Sequence, residues 1–451
     1  MIRSFSLAEA AIWLGLPPLN SDRTFSAVST DTRSLSPGAL FVAVRGENFD
    51  GHRFIEAAEA AGAVAAVVDH PVAGLAMPQL VVPDTVAALA RLALANRRES
   101  TAKIVAVTGS NGKTTVKEML AAMLSCSGPT LATMGNLNNH IGVPQTLFNL
   151  RPEHGFGVIE LGASAVGEIA HTVAATEPEV GIITNAGDAH LEGFGSYENI
   201  VLTKGEIIDG VAPGGTVVLN ADDPACESWR LRAGNRRVRT VSRHSNGSAD
   251  YTARLQPTET GSQHLSIHGP EGWSCDVILG LAGQHNITNA LLAIAAVRAV
   301  GLPDSEIRAG LAKLAPVKGR LQPFSLGPAI DLIDDSYNAN PSSMKVALEV
   351  LATRPGKRIA VLGRMAELGP GSHLKHKEIG VFAQQLGIDL LIAVGPGCEG
   401  YAEGFGDGAV ICKDHGDAVA QLLNQLEAPV TVLIKGSRSS AMDRVADGVK
   451  G

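Results

Sequence analysis

Cysteine is scarce and shows no pairing signal: Cys126, Cys226, Cys275, Cys398 and Cys412 are scattered through 451 residues, with no CxxC. An odd, widely spaced set argues against a disulfide framework and fits reduced thiols in a cytoplasmic chain. Long apolar runs are also missing. None reaches the length of a bilayer span, so no membrane is expected as a partner. The opening MIRSFSLAEAAIWLGLPP carries Glu9 and reads as a short amphipathic helix rather than a signal peptide. There is no excess of positive charge. The net charge is −8 with Lys and Arg dispersed, which argues against general nucleic-acid binding. No internal repeat or low-complexity tract is visible.

Glycine is abundant, with 50 residues, as many strand-to-helix turns require. An apolar fraction of 45% and a charged fraction of 18% suit a globular chain of two to four domains. Three blocks separate, expected as domains 1–98, 99–316 and 317–451. The first has strand-like pieces at Leu40–Val44, Ala63–Val68 and Leu80–Val82. It closes on a helix from Thr85 to Asn96 and a charged RRES stretch that reads as a linker. In the second, strands at Ile104–Val107, Val158–Leu161, Gly181–Thr184 and Val217–Asn220 alternate with helices. Such alternation implies a mostly parallel sheet covered on both faces. Tyr251 to Leu279 alternates like a small antiparallel annex, and Asn286 to Val300 reads as a nearly all-apolar helix. The third block has strands at Ala329–Ile333, Ile359–Leu362, Leu390–Val394 and Val430–Ile434, as in an open doubly wound domain. The fold class expected is therefore α/β in three domains.

The densest chemical signal is TGSNGKTT, Thr108 to Thr115, directly after the apolar run ending at Val107. A strand, a glycine turn, Lys-Thr-Thr and a helix in that order build a phosphate cradle. Backbone N–H groups from Gly109 through Ser110, Asn111 and Gly112 face an anion at a helix N-terminus. Lys113 adds a point charge, and a hydroxyl of Thr114 or Thr115 suits Mg²⁺. The loop departs from the usual pattern at Val107, where a glycine is normal. ATP is the expected ligand.

Other candidates stand at predicted strand ends, where open α/β sheets bind ligands. Glu160 in VIELGAS is either a helix cap or a Mg²⁺ ligand. His190 in NAGDAHLEG is either structural or functional. Lys204 in TKGEI is a solvated lysine, an ion-pair partner of Glu206, or a buried amine open to carbamylation by CO₂. In IDDSYNANPSSM, Asp334, Asp335, Tyr337, Asn338 and Asn340 form either a polar turn or a ligand site before a helix starting at Pro341. KGSRSSAM repeats the arrangement after the last strand. Arg320 lies at the junction of the second and third blocks, where a domain-closing cation would sit.

These segments, with GNLNNHIGVPQTL, LAGQHNITNALLA and GRLQPF, resemble the Mur ligase family, which includes folylpolyglutamate synthase, over essentially the whole chain. The departure at Val107 is shared by that family's loop. The resemblance implies a uridine-nucleotide domain, a central ATPase domain and a Rossmann-like C-terminal domain. Within the family, STDTRSLSPGALFVAVRGENFDGHRFI, SYNANP and MAELG are similar to the member that uses ATP to join D-alanyl-D-alanine to UDP-MurNAc-tripeptide. The Asp-Asn-Pro-Arg motif of the member acting one step earlier is absent. Arg364 replaces an acidic residue associated with the stretch before MAELG.

By resemblance, Gly109 to Thr115 hold the ATP phosphates. Thr114, Glu160, His190 and a carbamylated Lys204 hold two Mg²⁺ ions. Lys113, Lys204, His190 and Glu160 form the catalytic set. Asn289 and Arg320 contact the nucleotide, and Asp335 its ribose. Ser29, Thr30, Arg45 and Gly46 lie by the uridine diphosphate, and Asn136, Asn138 and Asn139 by the muramyl part. Tyr337, Asn338 and Asn340 line the dipeptide site. A monomer with small-molecule partners only is expected.

Overall fold

The computed structural model describes residues 1–46, 49–187, 191–244, 249–256 and 263–451. Among the described residues, three sheets of four or more strands organise the fold, beside two two-stranded ones. The first is a small parallel sheet in the order Val28–Ser29, Leu40–Val42, Ala65–Val68, Gln79–Val81. Before it, Ser6 caps the helix Leu7–Leu14, and Glu9 returns the bond to the Ser6 N–H. This reciprocal capping box is what starts a helix within six residues of the chain's beginning.

Among the described residues the central sheet has nine strands, with Thr130–Ala132 at one edge, parallel to Phe156–Glu160. Lys103–Thr108 is flanked by Phe156–Glu160 and Val180–Ile183, all parallel. Thr216–Asn220 and Arg237–Ser242 extend it. The annex Tyr251–Gln256, Gln263–His268 and Ser274–Leu279 is antiparallel and continues the same sheet from its edge. One face is covered by the helices Lys113–Leu124 and Gln284–Ala299. Helix Gln284–Ala299 is buried almost all round, which explains its unbroken apolar pattern.

The other face shares a core with the first domain: Phe5, Leu7, Leu89 and Leu92 pack into the same cluster as Ile104, Ile159 and Trp229. Docking there changes the reading of the RRES stretch. Helix Thr85–Arg98 runs through both arginines, and Arg97 is buried against the Thr176 and Glu177 carbonyls and Glu179. The segment is a packed joint, because a guanidinium satisfies several carbonyl oxygens at once.

The third sheet runs Gln322–Gly327, Ile330–Asp335, Val430–Lys435, Lys357–Gly363, Leu390–Val394, Ala409–Cys412, parallel apart from its first strand. Both of its faces are apolar and helix-covered. Asp334 and Asp335 belong to the strand rather than the turn after it. Each is held by a lysine: Asp334 by Lys450 at 2.9 Å and Asp335 by Lys435 at 2.6 Å. Among the described residues, no helix is long and apolar enough to cross a membrane.

Candidate active site

The strand Lys103–Thr108 ends at the turn Gly109–Gly112, and Lys113 opens the next helix. Gly109 and Gly112 have φ of +144° and +82°. A Cβ at Gly109 would collide with Thr184 Oγ1, and one at Gly112 would lie 2.6 Å from Asn289 Oδ1. Glycine is therefore required twice, by backbone conformation and by close approach.

The turn is fixed from the neighbouring strand end. Asn185 Oδ1 accepts the Asn111 N–H at 3.0 Å, while Thr184 Oγ1 donates to the Asn111 carbonyl at 2.6 Å. Lys113 Nζ folds back on the Gly109 and Ser110 carbonyls at 2.6 and 3.3 Å. Burial pulls its pKa below the ordinary lysine value, with Glu160 opposing and Arg320 adding to the effect.

The loop forms part of a cleft of about 990 Å³ that also involves the third domain. Ser110 to Thr115, Asn289, Arg320, Asp335, Asn338 and Asn340 all line it. The wall carries five cations, Lys113, Arg243, Arg320, Arg354 and Lys435, against three carboxylates, Asp222, Asp335 and Glu349. His285, also on the wall, is kept neutral, its pKa lowered to about 4 by burial and by Arg243 and Lys435. Arg320 Nη2 donates to Thr114 Oγ1 at 3.0 Å, and its guanidinium lies 4.3 Å over the Tyr337 ring. Lys435 bridges Asp335 and the Asn338 carbonyl. Asn340 caps the helix Pro341–Ala352 and donates to Asn111 Oδ1 at 2.8 Å.

Glu160 ends its strand and is 2% exposed. Its Oε1 accepts from Asn138 Nδ2 at 2.8 Å, whereas Oε2 is buried without a partner among the described residues. It does not cap the following helix, whose N-cap is Gly167. Lys204, in helix Tyr197–Asp209, is 2% exposed, with its Nζ 5.3 Å from the Phe194 ring centroid. That removes the solvated reading. Glu206 is committed elsewhere, accepting the Gly167 and Ala170 N–H groups, so the ion-pair reading fails too. Burial, with Lys113 next, lowers the Lys204 pKa to about 7, against the pull of Glu168 and Glu206. His190 lies outside the described residues.

The remaining expected residues stand apart from the cleft lining. Thr30 accepts from Gln145 Nε2 at 3.0 Å, and Ser29 donates to the Asp31 carbonyl. Arg45 is paired with Asp50 and Asp69, each at 3.3 Å, and Gly46 shares its two-residue strand. Asn139 Oδ1 accepts the Gly142 N–H at 2.8 Å just before the helix Gly142–Leu147, and Asn136 is exposed. Sequence reading missed Asn185 as the loop's anchor and Ser342 as a contact of Asn111. The first lay inside a segment already suspect for its polar residues; the second had no signal apart from its position after Asn340.

Three family models match in succession: the Mur ligase family, catalytic domain over residues 24–106, the Mur ligase middle domain over 107–297, and the Mur ligase, glutamate ligase domain over 319–438. The chain is 46% identical over 432 residues to the UDP-N-acetylmuramoyl-tripeptide–D-alanyl-D-alanine ligase of Escherichia coli, covering 94% of each. It is 38% identical over 441 residues to the Synechocystis ligase of the same name, covering 96% of this chain and 93% of that one. Among solved structures, MurF from Acinetobacter baumannii aligns with a TM-score of 0.91 at 34% identity over 100% of both chains. MurF ligase from Thermotoga maritima, in complex with ADP, aligns with a TM-score of 0.85 at 29% identity over 94% of this chain and 97% of that one. On these matches, which run through all three sheets, the chain belongs to the Mur ligase family.

Proposed function

We propose that the chain is an ATP-dependent ligase that joins D-alanyl-D-alanine to the carboxylate of UDP-MurNAc-tripeptide, releasing ADP and phosphate. The observation that carries this reading is the cation-rich cleft, in which a phosphate loop of the central domain is hydrogen-bonded directly to residues of the C-terminal one. The relatives' names, over 94% of the chain and more, supply the substrate class. Residues 1–98 take the uridine-linked substrate, 99–316 the nucleotide, and 317–451 the dipeptide side.

A carboxylate does not react with an amine until its oxygen becomes a leaving group. A carboxylate oxygen attacks the γ-phosphorus, the bond to ADP breaks, and an acyl phosphate forms. Two anions must meet in this step, so the site has to neutralise charge. Lys113 and the N-terminus of the helix it opens do so on the phosphate side, whereas the Ser110 and Asn111 N–H groups, expected to face the anion, are bonded to Asn185 instead. The dipeptide nitrogen then attacks the acyl carbon, phosphate departs with its electron pair, and the nitrogen loses its proton. An α-amino group has a pKa of about 8, so roughly a tenth is neutral at pH 7, and no strongly shifted base is required. Exclusion of water protects the acyl phosphate.

The residues fit a divalent cation. Glu160 offers a buried oxygen with no partner among the described residues, Thr114 offers a hydroxyl, and Lys204 is buried with a pKa near that of a reactive amine. Thr114, Glu160, His190 and a carbamylated Lys204 would hold two Mg²⁺ ions, which when bound supply charge neutralisation at the phosphoryl oxygens. The deciding experiment measures phosphate release with ATP, UDP-MurNAc-tripeptide and D-alanyl-D-alanine, each omitted in turn. Release that needs all three supports the reading, and release indifferent to the dipeptide defeats it.

A further inference from the structure

Three polar side chains from two domains close a ring at the mouth of the phosphate loop. Asn111 Nδ2 donates to Ser342 Oγ at 2.8 Å. Ser342 Oγ donates to Asn340 Oδ1 at 2.9 Å. Asn340 Nδ2 donates to Asn111 Oδ1 at 2.8 Å. Each group both gives and receives, so the three bonds run in one direction around the ring and polarise one another.

Both sides are anchored. On the central side, the Asn111 backbone is held through both its N–H and its carbonyl by Thr184 and Asn185. On the other side, Asn340 Oδ1 also accepts the Ser343 N–H, so the same oxygen caps the helix Pro341–Ala352. The approach is close: a Cβ at Gly187 would lie 3.0 Å from Ser342 Oγ.

We propose that Ser342 is a positioning residue. Through this ring it ties the C-terminal domain to the loop that carries the nucleotide phosphates, so the dipeptide side is aligned with the phosphoryl group when the ring closes. The proposal rests on the ligase reading above and gives Asn340 a different role from lining the dipeptide site. Its oxygen is filled by the cap and by Ser342, and its nitrogen faces Asn111. Misplacing a reacting group by about 1 Å costs on the order of a hundredfold in rate, so the loss of one ring member is felt in turnover.

The test compares the full-length Ser342→Ala and Ser342→Thr variants with wild type. Three quantities are read: kcat, binding of UDP-MurNAc-tripeptide without ATP, and the radius of gyration from small-angle scattering with a non-hydrolysable ATP analogue. For Ser342→Ala we expect kcat to fall about ten- to a hundredfold, unchanged affinity for the uridine substrate, and a larger radius with the analogue bound. Ser342→Thr, which keeps the hydroxyl, should restore kcat and radius. Wild-type kcat in Ser342→Ala overturns the proposal. So does equal impairment of both variants, or a loss of uridine-substrate affinity in step with kcat, which marks a general structural defect. If wild type itself does not turn over the three substrates, it is the ligase reading that has failed.

Discussion

Around Arg45 in the first domain, each charge faces a counter-charge. Arg45, 54% exposed, meets Asp50 and Asp69, and His52 lies between the same two carboxylates at 2.8 and 3.2 Å. Hydrogen bonds from His52 and Arg45 hold Asp50 down to about 2. Around Lys113 the pattern is reversed. Among the described residues, the half-buried Lys113 ammonium bonds only to backbone carbonyls, Lys204 is buried with no ion-paired carboxylate, and Glu160 keeps one oxygen unbonded. Burying charge without pairing it is costly, so a fold that does so at one place reserves that place for a charged ligand. The charges of the first-domain cluster are paired without a ligand.

The sharpest way to break this contrast is Lys113→Ala. Phosphate release should fall at least a thousandfold with the melting temperature nearly unchanged, and ordinary turnover in that variant would remove the loop from the mechanism. Lys204→Ala comes next. Activity should be lost, then partly recovered with added short carboxylates that stand in for a carbamate. A full wild-type rate, with nothing to rescue, would leave Lys204 outside the chemistry.

The same lysine gives a pH signature. Its folded pKa of about 7 lies below the unfolded value, so between roughly pH 7 and 10.4 the unfolded chain binds a proton that the folded chain does not. Stability contributed by this group therefore rises with pH across that window and is flat below it. Denaturation of Lys204→Met in CO₂-free buffer should lack that rise. The smallest effect belongs to Arg45→Ala. An exposed pair is worth under about 1 kcal/mol, so the melting temperature should barely move, while KM for the uridine substrate rises and kcat holds. A marked loss of stability there would blur the distinction between the two regions.

Much of the fold is legible in the chain because buried parallel strands leave unbroken apolar runs. Lys103–Thr108 and Val430–Lys435 are each readable to within a residue or two. Strands as short as Val28–Ser29 and Arg45–Gly46 carry too few residues for a period to register, and the neighbours that stabilise them are set by tertiary pairing. The RRES stretch looks like a linker because charge normally marks solvent; the Thr176 and Glu177 carbonyls at the end of a helix, with the Glu179 carboxylate, make Arg97 a buried residue. At the site, Gly109 to Thr115 are legible since one local segment makes the whole cradle. The ring through Ser342 is not, since it exists only after two domains dock and its members are 231 residues apart in sequence.

The contact between Gly112 and Asn289 sets an order on the making of the enzyme. The loop leaves the ribosome early, but the side chain that walls it belongs to the helix Gln284–Ala299, which follows the annex. Until that helix has been synthesised and packed, the cradle lacks the side that Asn289 supplies. A complete wall for the nucleotide phosphates thus waits on a segment made after every described strand of the central sheet.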